Sequence, residues 1–457
     1  MKSSAFCLLL STVCANGAYV TPRVYRKVTL KAPESPPHDV QYVPNNYLAY
    51  SIEYSDMVDF AGNLSHPNKY SYQLLKNIAE ASGALPIVRP GGSPQNRAFY
   101  VETQTEPFIK TYPPTGGNKL QNFTVGPAWF ESFQTFPGVK WMFGLSFERD
   151  ELGKSESIKQ ALKVTEVLDR DEIYGLELGN EIDGFPGLRR DVDWSISDYV
   201  REWHEYSDAI SEALAKHAPW LQQPLFQGCS FLAPEEVGNN LSYWNVESAL
   251  KLGMATGGKL KTIADHKGTQ YVLGETGTVS CHGAEDVSNT YAAAVWAVDY
   301  LLYLATLKVS RVYFHQGTGF LYSSWMPIAN ETDGTPRFVY PQYYGNLLTA
   351  HALASSFRLR RVVVVNLQEF NATQAAASRP YIEVNLQNLL GPACRARNVQ
   401  VRRLTGPGAD AKDGARFAGL KVDSHGRLVG REKVERLERG AKVFVGATEA
   451  VLISIEE

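Results

Sequence analysis

The sequence predicts an α/β fold in two parts, a (β/α)8 TIM barrel followed by a C-terminal antiparallel β-sandwich domain. Three observations lead to this fold class. Strand-like and helix-like segments alternate between residues 47 and 355. A doubly wound open sheet usually has a glycine-rich phosphate loop after its first strand, and no such loop follows the first strand here. From residue 357 onward the segments are strand-like, with loops between them and no clear helix.

Eight strand-like segments make up the predicted barrel. The first, "YLAYSIEYSD", alternates apolar and polar side chains, which is typical of a strand. The eight segments lie at 47–56, 85–92, 139–148, 173–185, 224–231, 259–266, 269–275 and 310–317. Segments with helical spacing lie between and after them, at 67–83, 125–136, 155–169, 195–219, 243–252, 288–307 and 341–355. Strands that alternate with helices pair in parallel, so eight such units indicate a barrel.

One unit of this alternation is incomplete. Only two residues separate His266 from Thr269, between the sixth and seventh predicted strands. A parallel crossover needs roughly ten or more residues, usually including a helix. Either one of these two strands is misassigned, or the βα unit has been lost.

The chain divides into four predicted segments. They are a signal peptide at 1–18, a strand at 19–32 that joins the β-domain, the catalytic barrel at 45–356 and the C-terminal β-domain at 357–457. Within the last of these, small and polar residues at 406–419 predict an exposed loop.

The N-terminus has the pattern of a secretory signal. Lys2 precedes an apolar stretch from Ala5 to Cys14, and small residues follow at Ala15 and Gly17. The apolar stretch is too short to span a bilayer, and no other segment is long and apolar enough. We therefore expect a soluble, secreted, extracellular protein that is not held in a membrane.

Composition excludes several partner classes. The net charge is −3, with 44% hydrophobic and 20% charged residues, which is ordinary for a soluble globular protein. Because no long basic run is present, neither nucleic acid nor an anionic membrane is an expected partner. We expect a monomer.

Five glycosylation sequons agree with passage through the secretory pathway. They begin at Asn63, Asn122, Asn240, Asn330 and Asn371. Removal of the signal peptide leaves the cysteines Cys229, Cys281 and Cys394, an odd number that implies a free thiol or an intermolecular bridge. No cysteine or histidine spacing matches a metal site, so no metal and no cofactor are predicted.

Two carboxylates follow barrel strands and predict the chemistry. Glu181 follows the fourth strand in "LELGNE", and Glu275 ends the seventh in "YVLGE". The active site of such a barrel lies at these strand ends, where two facing carboxylates suit glycoside hydrolysis. Their mutual repulsion raises one pKa, so one residue donates a proton while the other attacks. We expect a separation of about 5 Å and hence a retaining mechanism.

Several other polar residues lie at or near the strand ends, and some of them have two interpretations. Asn180 is placed to hydrogen-bond the sugar 2-hydroxyl. Glu177 is predicted to be a buried, paired carboxylate of structural importance. Arg89 could bind the carboxylate of a uronic acid or belong to a structural ion pair, and Tyr322 could form a sugar-stacking wall or pack in the core. His315 is more often a core residue than a catalytic one.

Five motifs carry a family resemblance. "SIEYSDMVDFAGN", "RPGGSPQNR", "LELGNEID", "YVLGETGTVSCHG" and "VYFHQGTGFLYSSWMP" resemble glycoside hydrolase family 79 of clan A, in a fungal-type member. The family contains β-glucuronidases, 4-O-methyl-glucuronidases and heparanases, and the similarity runs from about residue 20 into the C-terminal β-domain. The resemblance implies a retaining mechanism with Glu181 as acid/base and Glu275 as nucleophile. It also implies sugar contacts from Glu53, Asn180 and Tyr322, with His315 lining the same pocket.

The sequence therefore predicts a secreted retaining exo-β-glucuronidase that removes glucuronic or 4-O-methylglucuronic acid from glycans. Two alternatives remain open. Ser280 stands where uronate-specific relatives carry a tyrosine, which leaves room for a β-glucosidase-like hydrolase of neutral glycans. The short connection at 266–269 leaves room for a catalytically impaired carbohydrate-binding protein on a hydrolase scaffold.

Overall fold

The computed structural model describes residues 26–31, 42–111, 122–221, 226–228, 230–232, 271–307, 309–353, 361–390, 399–437 and 442–455. Several sequence predictions fall outside these ranges. They are the signal peptide, the helix at 243–252, the strand at 259–266, the short connection at 266–269, and the residues Cys229, Asn240 and Cys394. The chain forms two compact units: a first unit of Met1–Leu48, Gln73–Leu85 and Thr276–Glu457, and a second unit of Ala49–Tyr72 and Pro86–Glu275.

The described strands are numbered β1 to β22 along the chain. They are β1 Arg26–Thr29, β2 Leu48–Glu53, β3 Val88–Gly91, β4 Ala98–Tyr100, β5 Phe108–Thr111, β6 Asn122–Val125, β7 Trp141–Leu145, β8 Ile173–Leu178, β9 Phe226–Gln227, β10 Val272–Thr276, β11 Arg311–Gln316, β12 Trp325–Met326, β13 Phe338–Val339, β14 Arg361–Asn366, β15 Tyr381–Asn385, β16 Val399–Thr405, β17 Arg416–Phe417, β18 Lys421–Val422, β19 Leu428–Val429, β20 Glu435–Leu437, β21 Lys442–Gly446 and β22 Glu449–Ile455.

The described α-helices follow most of the predicted ones within a few residues. They are α1 Met57–Ala61, α2 Lys69–Ser82, α3 Pro127–Glu131, α4 Asp150–Val167, α5 Ile196–His217, α6 Tyr291–Thr306, α7 Gln342–Leu353 and α8 Gln387–Leu390. Helix α5 starts where predicted because Ser195 and Asp198 form a reciprocal capping box. Within the described ranges, no helix has both the length and the apolar character needed to cross a membrane.

The parallel sheet confirms the predicted barrel fold. Seven strands follow the order β10-β11-β2-β3-β7-β8-β9. The pairs β2–β3, β3–β7, β7–β8 and β8–β9 are parallel. Strands β2, β3, β7, β8 and β9 thus neighbour one another in chain order, as the successive units of a (β/α)8 barrel do. Strands β2, β3, β7 and β8 are almost wholly buried, which suits a parallel sheet covered on both faces.

A small sheet after β3 was not predicted. Strands β4, β6 and β5 form a three-stranded sheet in that order, with β4–β6 parallel and β5–β6 antiparallel. Helix α4 also begins earlier than predicted, at Asp150, where the acidic residues Asp150 and Glu151 occupy its first turn. Acidic side chains there are stabilised by the helix dipole, a signal that the apolar periodicity alone does not contain.

The C-terminal β-domain is a two-sheet structure, as predicted. One sheet has the order β14-β22-β16-β17 with β20 beside β16, and the other has the order β1-β15-β21. The apolar core contains Leu30, Val362, Val364, Ile382, Val384, Leu386, Val399, Val401, Val443, Val445, Val451 and Ile453. Strand β1 pairs with β15 in parallel, so this sheet is not purely antiparallel.

The segment 406–419, predicted to be an exposed loop, is a loop up to Ala415 and has exposed residues, but parts of it are buried. Ala415 and Phe417 are buried, and the backbone N–H of Tyr291 donates to the carbonyl oxygen of Ala411. A Cβ on Gly406 would lie 2.5 Å from Cγ of Tyr291. Here glycine serves close packing rather than chain flexibility, and composition alone does not distinguish these two uses.

Candidate active site

A buried arginine lies at the centre of the polar cluster formed by the barrel strand ends of the second unit. Arg89 on β3 is fully buried and forms ion pairs with Glu177 on β8 and Glu275 on β10. Burial works against its charge, but the two carboxylates outweigh this effect and raise the pKa of Arg89. The cluster therefore contains a permanent cation.

All five N–H groups of Arg89 are occupied. Nε donates to Glu177 Oε1 at 2.9 Å, and Nη2 donates to Glu177 Oε1 at 2.5 Å and to Asn180 Oδ1 at 2.7 Å. Nη1 donates to Ser51 Oγ at 2.9 Å and to Glu275 Oε2 at 3.1 Å. An arginine has only five such donors, so none remains for the carboxylate of a uronic acid. Of the two readings left open by the sequence, the structural ion pair is the one observed.

The "RPGG" motif makes room for this arrangement. A Cβ on Gly91 would lie 2.5 Å from Cζ of Arg89, so only glycine allows the guanidinium to fold back along β3. Gly92 has a φ of +106°, and a Cβ there would lie 2.6 Å from Oε2 of Glu53. The predicted binding residue Glu53, at the end of β2, thus has its carboxylate directly against the Gly92 backbone.

Glu181 has an unusual backbone conformation. Its φ is 54° and its ψ is 47°, the left-handed region that non-glycine residues rarely adopt. The preceding residue is fixed on both sides, because the Asn180 N–H donates to Asn96 Oδ1 at 2.9 Å and Asn96 Nδ2 donates to the Asn180 carbonyl at 2.8 Å. Strained backbone held by its surroundings is frequent at active sites.

The surroundings of Glu181 favour its protonated form. Burial, followed by the negative charge of Glu275, raises the pKa of Glu181 to about 7, and Asp183 acts in the same direction. A hydrogen bond from Ser93 Oγ to Glu181 Oε2, 3.1 Å long, and the charge of Arg89 oppose the shift. Near neutral pH, Glu181 is therefore protonated about half of the time, whereas Glu275 is ion-paired with a cation. The two carboxylates differ in the manner that acid and nucleophile require.

Asn180 has one polar atom without a partner. Its Oδ1 accepts from Arg89, but no described residue hydrogen-bonds its buried Nδ2. The residue is only 2% exposed, and a buried donor of this kind usually has a partner. A ligand hydroxyl is one group that could satisfy it.

Six predicted binding and catalytic residues divide between the two units. The second unit contains Glu53, Asn180, Glu181 and Glu275, whereas His315 and Tyr322 belong to the first unit. Both of the latter are buried, and their rings are 6.0 Å apart.

Sequence reasoning assigned no role to Ser51, Ser93, Asn96 or Gln227. Ser93 and Asn96 lie in "RPGGSPQNR", so their place in that motif was the available signal. Ser51 and Gln227 are ordinary polar residues of strands, and only the register of those strands brings them to Arg89 and Glu177.

Three of the described sequons begin in loops, and the fourth begins strand β6 at Asn122. Asn330 is exposed, while Asn63 and Asn371 are half-buried. The side-chain oxygen of Asn63 accepts the N–H groups of Ser65 and His66, and that of Asn330 accepts the N–H of Thr332. Such turns place the asparagine at the surface. For Asn122 only the backbone is described.

The C-terminal part of the chain matches a known domain family. Residues 350–452 match the profile described as "Glycosyl hydrolase family 79 C-terminal beta domain". A β-glucuronidase of Aspergillus niger is 28% identical, with 90% of this chain and 88% of the relative covered. A β-glucuronidase of Neurospora crassa is 26% identical, with 93% of each chain covered. The chain is a glycoside hydrolase, and its C-terminal domain matches that of family 79. The resemblance seen in its motifs is confirmed.

The fold of this glycoside hydrolase also has a solved counterpart. A 4-O-α-L-rhamnosyl-β-D-glucuronidase from Fusarium oxysporum superposes with a TM-score of 0.69 at 18% identity. The superposition covers 93% of this chain and all of the Fusarium chain. At this level of identity the likeness concerns the fold, since related folds support different activities.

Proposed function

We propose that this glycoside hydrolase is a retaining exo-β-glucuronidase that releases glucuronic or 4-O-methylglucuronic acid from glycans. One observation carries the proposal: Glu275 is ion-paired with Arg89, while burial and repulsion give Glu181 a pKa of about 7. A carboxylate paired with a cation can act as the nucleophile, and a carboxyl group that is partly protonated near neutrality can act as the acid; this reaction needs both. The curated relatives, both β-glucuronidases, support the choice of sugar.

In the proposed first step, a carboxylate oxygen of Glu275 attacks the anomeric carbon. The bond from that carbon to the leaving oxygen breaks as Glu181 transfers its proton to this oxygen. In the second step, Glu181 takes a proton from a water molecule, whose oxygen bonds to the anomeric carbon and releases Glu275. Two displacements return the sugar in its original anomeric configuration.

Asn180 is the proposed ligand of the sugar 2-hydroxyl. Its buried Nδ2 has no partner among the described residues, while its Oδ1 is held by Arg89. A hydrogen bond to the 2-hydroxyl strengthens as positive charge develops at the adjacent anomeric carbon, so it accelerates the reaction. Glu53 is a second proposed sugar ligand, and His315 and Tyr322 are proposed on the family resemblance alone.

A neutral-sugar β-glycosidase is the second candidate. It is favoured by the saturation of Arg89, which leaves no N–H of that residue for a uronate carboxylate. Ser280 in place of a tyrosine favours it as well. Under this alternative the catalytic pair and the mechanism are unchanged.

The test compares an aryl β-glucuronide with the matching β-glucoside, using the wild type, Glu275→Gln and Glu181→Gln. Glucuronide turnover that is lost in Glu275→Gln supports the proposal, whereas turnover of the glucoside alone supports the second candidate. For Glu275→Gly with added azide, we expect an α-glycosyl azide, since azide replaces the nucleophile on the opposite face. No turnover of either substrate, with sugar binding retained, would point to the impaired scaffold.

Secretion as a glycosylated monomer is also part of the proposal. The N-terminal pattern and the five sequons support secretion, and the low net charge gives no reason to expect a charged partner. Expression of the full chain in a eukaryotic host tests it. Protein in the medium that loses mass on deglycosylation and sediments as a single chain is the expected result.

A further inference from the structure

Glu177 is a buried carboxylate that has no role in the proposed two-step mechanism. It lies near the end of β8, is fully buried and contacts Arg89 through both of its oxygens, at 2.9 Å and 3.1 Å from Nε. A buried ion pair often contributes little to stability, because desolvation offsets the attraction. A role in stability therefore does not account well for a charge at this position.

We propose that Glu177 is a positioning residue for the nucleophile, acting through Arg89. By holding the Nε–Nη2 edge of the guanidinium, it directs Nη1 to Glu275 and the second Nη2 hydrogen to Asn180. This inference rests on the proposed roles of Glu275 and Asn180 as nucleophile and 2-hydroxyl ligand.

The geometry supports an orienting role. A guanidinium is planar, so two bonds from one edge to a single carboxylate fix both its plane and its rotation. Each of the three remaining N–H groups then points in a fixed direction. The two on Nη1 reach Ser51 and Glu275, and the one on Nη2 reaches Asn180. Without Glu177 the guanidinium could rotate toward Glu275 and pair with it through a whole edge.

The strand that carries the nucleophile lies directly against this contact. Gln227 Nε2 donates to Glu177 Oε2, so the carboxylate has a second partner besides Arg89. A Cβ on Gly274 would lie 3.3 Å from Gln227 Nε2, 3.7 Å from Glu177 Oε2 and 3.9 Å from Arg89 Nε. Gly274 immediately precedes Glu275 in sequence. The backbone of β10 therefore packs over the ion pair itself, one residue away from the proposed nucleophile.

Charge balance gives Glu177 a second effect. Its negative charge offsets the positive charge of Arg89. Glu275 therefore experiences a smaller positive potential than it would beside an unpaired cation. Among the described residues, the charged groups that act on the pKa of Glu181 include Glu275, Asp183 and Arg89. Loss of the Glu177 charge would make the potential at both catalytic carboxylates more positive. Each would then hold its proton less tightly, and Glu275 would be a weaker nucleophile.

The experiment measures pH profiles of kcat/KM for the wild type, Glu177→Gln, Glu177→Asp and Glu156→Gln. Glu156 is a matched control, since it is buried and hydrogen-bonded to the Tyr100 backbone and to Gln160. For Glu177→Gln we expect a loss of about 100-fold in kcat/KM. We also expect both limbs of the profile to move to lower pH by about one unit. Glu177→Asp keeps the charge but is too short to bond both edge nitrogens, so activity should fall while the limbs stay in place.

A purely structural role would give a different result. If Glu177→Gln only lowers the folded fraction, its profile keeps the wild-type limbs, and this outcome overturns the proposal. An equal shift of the limbs in Glu156→Gln would overturn it too. Should Glu177→Gln fail to fold, the Glu177→Asp variant decides: activity equal to wild type would contradict positioning.

A second readout separates this inference from the proposed function. If the wild type hydrolyses no aryl glycoside, the proposed function fails, but the Glu181 carboxyl can still be titrated by NMR of protein labelled with 13C at glutamate Cδ. The signal is assigned by its loss in Glu181→Gln. A lower midpoint in Glu177→Gln than in wild type supports the coupling, and an unchanged midpoint refutes it.

Discussion

Ser93 Oγ donates a hydrogen bond to Glu181 Oε2 across 3.1 Å, immediately after the "RPGG" motif of β3. Among the influences on Glu181, this bond lowers the pKa, in opposition to burial and to Glu275. A donor to a carboxylate favours the ionised form. Ser93 therefore prevents the acid from holding its proton so tightly that it could not act as a base in the second step.

Ser93→Ala should shift the pH dependence in a known direction. Without the donor, the pKa of Glu181 rises further, so the protonated acid persists to higher pH and the alkaline limb of kcat/KM moves up by several tenths of a unit. The pH profile on an aryl glycoside checks this. Ser211→Ala, which removes a hydroxyl bonded only to the carbonyl oxygen of Ser207 on α5, is the control that should leave the profile unchanged. A downward shift in Ser93→Ala would contradict the assignment.

Arg89 should be essential for both folding and catalysis. Arg89→Gln leaves Glu177 and Glu275 in the cluster without their cation, and breaking a buried pair in this way typically costs 3–5 kcal/mol. We expect a loss of about that size in the free energy of unfolding, measured by urea denaturation. We also expect a fall of at least 100-fold in kcat/KM, because Glu275 is no longer held.

Arg201→Gln is the contrast for Arg89→Gln. Arg201 pairs with Asp198 at 2.8 Å on α5, and its side chain is 59% exposed. Exposed pairs contribute roughly 0–1 kcal/mol, so this variant should be nearly as stable and as active as the wild type. If the two variants lost equal stability, burial of the Arg89 network would not be the cause.

Asn180→Ala should reveal the proposed 2-hydroxyl contact through the choice of substrate. The change removes the Nδ2 donor, and we expect kcat/KM on a normal aryl glycoside to fall by about 100-fold or more. On the 2-deoxy substrate, which lacks the hydroxyl, the same change should lower kcat/KM far less. A cycle of two enzymes and two substrates measures this coupling. Equal losses on both substrates would mean that Asn180 acts through Arg89 alone.

The site residues that could be predicted are those whose position depends on a single strand and its end. The run "LELGNE" places Asn180 and Glu181 after a buried strand, and "YVLGE" does the same for Glu275, so the topology of the barrel identifies them. The same alternation indicated that Glu177 is buried and paired. Its partner could not be deduced, because Arg89 is 88 residues away in sequence and reaches it only through the register of β3, β7 and β8.

The parts of the fold that escaped prediction lack a periodic signal. Strands β4, β5 and β6 have three or four residues each, too few for an alternation to stand out. The segment 406–419 is rich in glycine and alanine, and the same small residues suit both an exposed loop and tight packing against Tyr291. Only the surrounding structure distinguishes these cases.

The raised pKa of Glu181 also predicts how stability depends on pH. The folded pKa is about 7, above the ordinary 4.5, so between these values the folded state binds more protons than the unfolded state. The contribution of Glu181 to the free energy of unfolding should therefore be greatest below pH 4.5. It should decline as the pH rises to about 7. A shift of this size corresponds to roughly 3–4 kcal/mol.

Glu181→Gln isolates this contribution, since a neutral amide of similar shape does not titrate. At pH 8 the variant should be more stable than the wild type by up to roughly 3–4 kcal/mol, and at pH 4 the two should be nearly equal. Urea denaturation at several pH values, followed by circular dichroism, measures the difference. Glu212→Gln, at a largely exposed position on α5, should show no such divergence. A variant that is less stable than the wild type at pH 8 would mean that Glu181 is stabilised as a carboxylate, contrary to its role as the acid.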